Sequence, residues 1–172
     1  MKRKIAIIVG SVNDFKQALE GLMYLQNCIG IEVHVYVRSQ HRNTLPTQIL
    51  LRDLARRGFD VVITAAGWAN HLSGCSDAYL RYTLRDSRLV VMGVALEDKE
   101  IQKHTDAAKL SISEVPGTQV VFKDEAGQFV GPLGFSRACK FAANRELPKI
   151  TLPEPKPTMD LTLEKAIEMG LH

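Results

Sequence analysis

Three short segments of this chain hold the residue types that can bind an anion or move a proton. Gly10-Ser11-Val12-Asn13-Asp14 joins a tightly turning glycine to a hydroxyl and to free amides at a helix start, a combination suited to phosphate oxygens. The Asp14 carboxylate can accept from two vicinal hydroxyls, as on a ribose. Ser39, Gln40, His41 and Arg42 form the second segment, where Ser39 offers a donor and Arg42 a forked cation, again matched to phosphate. The third runs Ala66-Gly67-Trp68-Ala69-Asn70-His71-Leu72-Ser73-Gly74. Its small residues, between Gly67 and Gly74, let a flat ring approach the backbone closely. His41 and His71 are two imidazoles able to shuttle a proton near neutral pH.

Each residue also has an ordinary role open to it. Ser11, Asn13 and Asp14 can be a helix cap and an Asx turn, and Arg42 a surface side chain. A loop histidine is commonly solvated or bonded to backbone, and Trp68 can serve packing or a subunit contact. Cys75 stands at a predicted helix start, where a thiol pKa can fall, but no partner for a nucleophile accompanies it. His34, His104 and His172 are given no role. The functional reading gains from convergence, since all three segments follow predicted strands.

Those strands are short apolar runs at residues 4–10, 32–37, 61–64 and 89–96, separated by helical patterns at 15–27, around Pro46 to Gly58, and at 75–84. Phe15, Ala18, Leu19, Leu22 and Met23 form the apolar stripe of the first helix, and Ile49, Leu50 and Leu54 that of the second. Asn13 or Asp14 is placed to cap the first, and Gly58 to take a left-handed C-terminal turn after the second. Residues 99–108 read as a helix or a mobile insertion and residues 120–122 as a fifth strand. A hairpin spans 123–130 and a helix 134–146. Alternating strands and helices predict an α/β fold, doubly wound, with an open parallel sheet of five strands between helical layers. The catalytic domain is expected over residues 1–147. Residues 148–172 form a Pro-rich arm with Pro148, Pro153, Pro155 and Pro157, then a short terminal helix, packed on a neighbouring subunit or on its own domain.

Composition narrows the classes. The 172 residues suit one domain, and 45% hydrophobic with 24% charged residues excludes global disorder. A net charge of +3 without a dense basic run argues against nucleic acid as the partner. No apolar run reaches the roughly 20 residues that span a bilayer, and no signal peptide is read before Ile5, so no membrane partner is expected. Three widely spaced cysteines, Cys28, Cys75 and Cys139, suggest neither a zinc site nor a disulfide framework and fit a cytoplasmic protein. No metal and no cofactor is called for.

Gly10-Ser11-x-x-Asp14, Ser39-x-His41-Arg42 and Ala66-Gly67-x-Ala69-x-His71-Leu72-x-Gly74, in this order, resemble the signature loops of the purine-biosynthesis carboxylase family. That family contains 5-(carboxyamino)imidazole ribonucleotide mutase and aminoimidazole ribonucleotide carboxylase. The likeness covers roughly residues 4–146, with Val115-Pro116-Gly117 similar to the family's Met-Pro-x-Gly turn. It implies a three-layer α/β/α flavodoxin-like fold, assembled as a homo-octamer with sites near subunit contacts. It implies a ribonucleotide substrate held by Ser11, Asp14, Ser39 and Arg42, with Gly67, Ala69 and Leu72 lining the base side. His41 matches the proton-transferring histidine, and His71 the histidine of the mutase branch, so the pair is the implied catalytic set. The implied reaction moves a carboxylate from an exocyclic nitrogen to a ring carbon of the aminoimidazole, with direct carboxylation as the alternative.

The chain departs from the family pattern at Asn13, Gln40, Trp68 and Asn70, which are therefore candidates for specificity, and at Asn43, Ser73, Phe135 and Arg137. Trp68 replaces a glycine, Asn70 an alanine and Ser73 a proline. Two further readings keep the phosphate cradle: an enzyme for another ribonucleotide, or a ribonucleotide sensor without catalysis.

Overall fold

The computed structural model describes residues 2–171. Its elements run β1 (Arg3–Val9), a 3-10 turn (Val12–Asp14), α1 (Phe15–Gln26), β2 (Ile31–Val37), α2 (Thr44–Arg56), β3 (Val61–Ala66) and α3 (His71–Ala78) with a π-helical turn (Tyr79–Thr83). Then follow β4 (Val90–Ala95), α4 (Gln102–Ser113), β5 (Lys123–Asp124), β6 (Gly127–Gln128), α5 (Gly131–Asn144) and α6 (Leu163–Gly170). Strands β2-β1-β3-β4 form one parallel sheet in that order.

Alternation along the strands divides the core between two faces. Ile5, Ile7 and Val9 of β1 lie level with Val61, Ile63 and Ala65 of β3, and Val90, Met92 and Val94 of β4 continue the row. These side chains pack with Ala18 and Leu25 of α1 and with Phe135, Ala138 and Ala142 of α5. Ala6, Ile8, Val62 and Val91 point the other way, onto Leu51 and Leu54 of α2 and Leu72 of α3. Both sheet faces are thus covered, which is why the central strands read as unbroken apolar runs. Each fully buried Ile, Val or Leu stabilises this sandwich by about 1.5–3 kcal/mol.

The expected fifth strand is replaced by two isolated pairings. Val121 bridges Met92, Val130 bridges Ala95, and the β5–β6 hairpin leaves the sheet between them. The extra residues of the hairpin therefore split the edge position, and the sheet has four strands. Asp124 is ion-paired with Arg137 of α5, which pins the hairpin to the helix.

Several boundaries also shift. α3 begins at His71, four residues earlier than its periodicity indicates, because the Asn70 side chain accepts from the Ser73 amide and starts the helix. α5 begins at Gly131, ahead of the expected residue 134, with Pro132 suited to its first turn. Residues 99–108 belong largely to α4. Leu19 and Met23 of α1 and Ile49 of α2, expected in the core, are 58%, 55% and 47% exposed. Gly58 takes φ +69° after α2, as its position predicts.

The body of the fold continues past residue 147. Ile150 is 6% exposed and joins the core, and Gln119 and Thr151 exchange two hydrogen bonds of 2.6 and 3.0 Å. Arg85 Nη1 donates to the Pro153 carbonyl at 2.7 Å. From Glu154 to Leu171 every residue is exposed, α6 included.

One close approach limits how large a residue can stand where α1 meets α5. A Cβ at Gly21 would lie 2.6 Å from the Phe135 ring and 2.8 Å from Cys139 Sγ. Gly21→Ala is expected to destabilise the protein by about 1–3 kcal/mol through overpacking. The measurement is a lower urea midpoint at unchanged slope; an unchanged midpoint would contradict this packing.

Candidate functional site

The strand order reverses between β1 and β3, and in open parallel sheets that crevice is where ligands sit. A cleft of about 610 Å³ opens there, beyond the carboxyl ends of β1, β2 and β3. The first segment contributes Ser11, Asn13 and Asp14 to its wall; the second, Ser39, Gln40, His41 and Arg42; the third, Gly67, Trp68, Ala69, His71 and Leu72. Of the candidate residues only Asn70 lies outside the lining.

The first segment forms a closed local unit. The Ser11 amide donates to Asp14 Oδ2 at 2.8 Å, and the Ser11 hydroxyl to Oδ1 at 3.2 Å. Asp14 therefore turns back onto Ser11 and makes no side-chain cap to α1, unlike its expected role. Burial pushes the Asp14 carboxyl above the ordinary range. The Ser11 amide and hydroxyl, the Gly10 amide and the Arg42 charge oppose burial without cancelling it.

Arg42 ties the first two segments together, with Nη2 donating to the Gly10 carbonyl at 3.2 Å. Asn43 Oδ1 accepts from the Ser39 amide at 3.1 Å, and Ser39 itself is buried. Asn43 is thus a structural clasp for this turn. Arg42 thereby stands beside the first segment, where its cation is able to meet an anion.

Two imidazoles meet across the cleft. His41 Nε2 lies 2.8 Å from His71 Nδ1, with the rings edge to face at 84°. Both side chains are exposed to the cleft, and one nitrogen must donate to the other, so a proton can pass between them. His71 is held here because it is the first residue of α3, and Asn70 fixes that helix start. Asn70 is fully buried, its Nδ2 donates to the Val94 carbonyl at 2.9 Å, and its Oδ1 accepts from Ser73. It orients His71 from behind and does not face the cleft as a specificity residue would.

Trp68 stays on the rim. Its backbone has φ +58°, a left-handed conformation that costs a bulky residue about 1–3 kcal/mol. Its indole stacks on His104 of α4, with ring centroids 3.9 Å apart and planes at 19°. Asp98 Oδ2 lies 2.8 Å from His104 Nδ1. The His104 hydrogen bond, with the Glu100 and Ile101 amides, holds the Asp98 carboxyl below the usual range. His104 and Asp98 were not legible as site residues. Their segment is polar and aperiodic, and only the fold brings it beside Trp68. Cys75 lies inside α3, and burial pushes its thiol up, opposite to a reactive cysteine at a helix start. Among the described residues no group of three His, Cys, Asp or Glu side chains could hold a metal ion.

The family model described as AIR carboxylase matches residues 4–122. N5-carboxyaminoimidazole ribonucleotide mutase of Saccharolobus solfataricus is 31% identical over 98 residues, which are 57% of this chain and 57% of that protein. The match thus spans little more than half the length of that relative. The crystal structure of Treponema denticola PurE superposes with TM-score 0.56 at 18% identity, covering 83% of this chain and 82% of that one. A variant from the same organism gives 0.57, also at 18% identity, over 84% and 82%. These two likenesses are of fold.

The Asp14 carboxyl is expected to titrate above about 3.9, the value of a free aspartate. Ser11→Ala moves it further up, because a donor to the ionised form is lost. Carbon-detected NMR titration reads both midpoints. A wild-type midpoint below 3.9, or a downward move in the variant, contradicts the burial-dominated environment.

Proposed function

The chain belongs to the AIR carboxylase family, and from that premise we propose that it is an N5-carboxyaminoimidazole ribonucleotide mutase. The carrying observation is the 2.8 Å contact of His41 with His71 above a cleft whose other end offers Ser11, Asp14 and Arg42. Arg42 and the turn that follows Gly10 hold the phosphate, and Asp14 accepts from the ribose hydroxyls. The heterocycle then lies along Gly67, Ala69 and Leu72, within reach of the imidazoles.

The reaction has two bond changes and one proton to move. The bond from the exocyclic nitrogen to the carboxylate carbon breaks, its electron pair stays on nitrogen, and CO₂ is released into the cleft. The ring carbon then attacks that CO₂, forms the new carbon–carbon bond and loses its proton. A neutral His41 takes this proton, and the nitrogen regains one, so no net proton is consumed. Confinement supplies much of the rate advantage, because a CO₂ that cannot leave has a very high effective concentration. Exclusion of water limits its loss. The contact with His71 gives His41 a partner through which its proton state is reset. Direct carboxylation is the lesser reading, since the presence of both Arg42 and His71 supports the mutase branch.

Assembly and location follow as part of the same proposal. A homo-octamer fits the exposed Leu19 and Met23 of α1 and the exposed Leu163, Ile167 and Leu171 around α6, which would dock on a neighbouring subunit. A cytoplasmic location fits three free cysteines. No helix among the described residues is long and apolar enough to cross a membrane.

Purified protein mixed with N5-carboxyaminoimidazole ribonucleotide is expected to form the ring-carboxylated product, followed by ultraviolet absorbance without added bicarbonate. His41→Asn should abolish turnover while ligand affinity stays within about threefold, the loss of an acid–base group being worth about 10²–10⁴ in rate. Normal turnover in that variant removes His41 from the mechanism. Arg42→Ala should weaken ribonucleotide binding by about 1.5–3 kcal/mol, the value of a charged hydrogen bond, as read by calorimetry. Unchanged affinity would make Arg42 a surface residue.

A further inference from the structure

A tryptophan on a left-handed backbone is held in place only if its surroundings determine it, and here three segments do so. The loop after β3 supplies Trp68, the first turn of α4 supplies His104, and the loop after β4 supplies Asp98. Asp98 is itself anchored: Oδ1 accepts from the Glu100 and Ile101 amides at 2.9 and 3.0 Å. With the Asp98 carboxylate ionised, the 2.8 Å contact requires His104 Nδ1 to donate, which fixes the imidazole plane. That plane covers one face of the indole. The side chain of His104 is only 14% exposed, yet Trp68 remains 64% exposed and lines the cleft. A large apolar ring is therefore held rigid with its second face uncovered, at the edge of the cavity that holds both catalytic imidazoles.

We propose that the free face of Trp68 is a stacking platform for the heterocycle of the bound ribonucleotide, and that His104 and Asp98 are the positioning residues that hold the platform. This rests on the ribonucleotide reading of the cleft and adds to it a recognition element for the ring. Stacking suits such a task because every planar heterocycle has a π face, while the hydrogen-bonding edge stays free for the reaction. A ring already backed by another ring also loses little freedom when the ligand arrives.

Trp68 is the only tryptophan of the chain, so its emission reports this position alone. The protein is titrated with 5-aminoimidazole ribonucleotide and, separately, with ribose 5-phosphate, which carries the phosphate and sugar without the ring. Calorimetry runs in parallel. The ribonucleotide is expected to change the emission saturably, and ribose 5-phosphate to bind without doing so. Trp68→Gly, which suits the left-handed backbone, should weaken the ribonucleotide by about 5–150-fold, the range measured for stacked bases. It should leave ribose 5-phosphate within twofold. His104→Gln should show the same selective loss, and His104→Phe, which keeps a stacking ring, should recover part of it. Ribonucleotide binding with silent emission, or equal loss of both ligands in Trp68→Gly, overturns the platform alone. If neither ligand binds the wild-type protein, the ribonucleotide reading falls and the platform falls with it.

Discussion

The register of β1 with both its neighbours is the constraint on which the site depends. Val9 pairs with Val37 on one side and with Ala65 on the other, so three strands end at one level. Side chains in a strand alternate with period two, and a slip of one residue would invert both core faces. The row formed by Ile5, Ile7 and Val9 can face α1 and α5 in only one register. Burying that row therefore also places Gly10, Arg38 and Ala66 side by side, and hence the three loops that follow. The apolar pattern of the sheet sets the spacing of polar groups that never touch it.

Behind the third loop, substitutions that look separate in sequence act as one unit. The family pattern has alanine and proline where this chain has Asn70 and Ser73. A proline has no amide hydrogen, so that helix start leaves one donor fewer to satisfy. Serine restores the donor, and Asn70 Oδ1 receives it; the Ser73 hydroxyl donates to Asn70 Oδ1 at 3.2 Å and accepts from the Thr64 hydroxyl at 2.8 Å. All three residues are fully buried, where an unmatched polar atom costs about 1–3 kcal/mol. Asn70 and Ser73 thus satisfy each other's polar atoms, and together they fix the helix start that carries His71.

The apolar runs made the central strands legible, since burial on both faces leaves a continuous signal in β1, β3 and β4. The cleft-lining residues were legible for a similar reason: each segment follows a strand directly, so placing the strand places them. Other features depended on packing that periodicity does not encode. Leu19 and Met23 continue the stripe of α1, but the face that α1 buries runs through Ala18, Gly21 and Leu25. The fifth edge position failed as a strand because the hairpin interrupts it, and local composition predicts the turn without showing which pairings it displaces. Asp14 had the spacing of a cap, but the nearer Ser11 donors captured it. His104 was silent because its partner is 36 positions away.

The split edge of β4 has a consequence for how the molecule meets others of its kind. A bare strand edge is a template on which a foreign strand can add and propagate. Along β4 the backbone groups are met at Met92 and Ala95 by chain that immediately turns away, and the hairpin between is pinned to α5 through Arg137. No continuous ladder is left there for an added strand to extend.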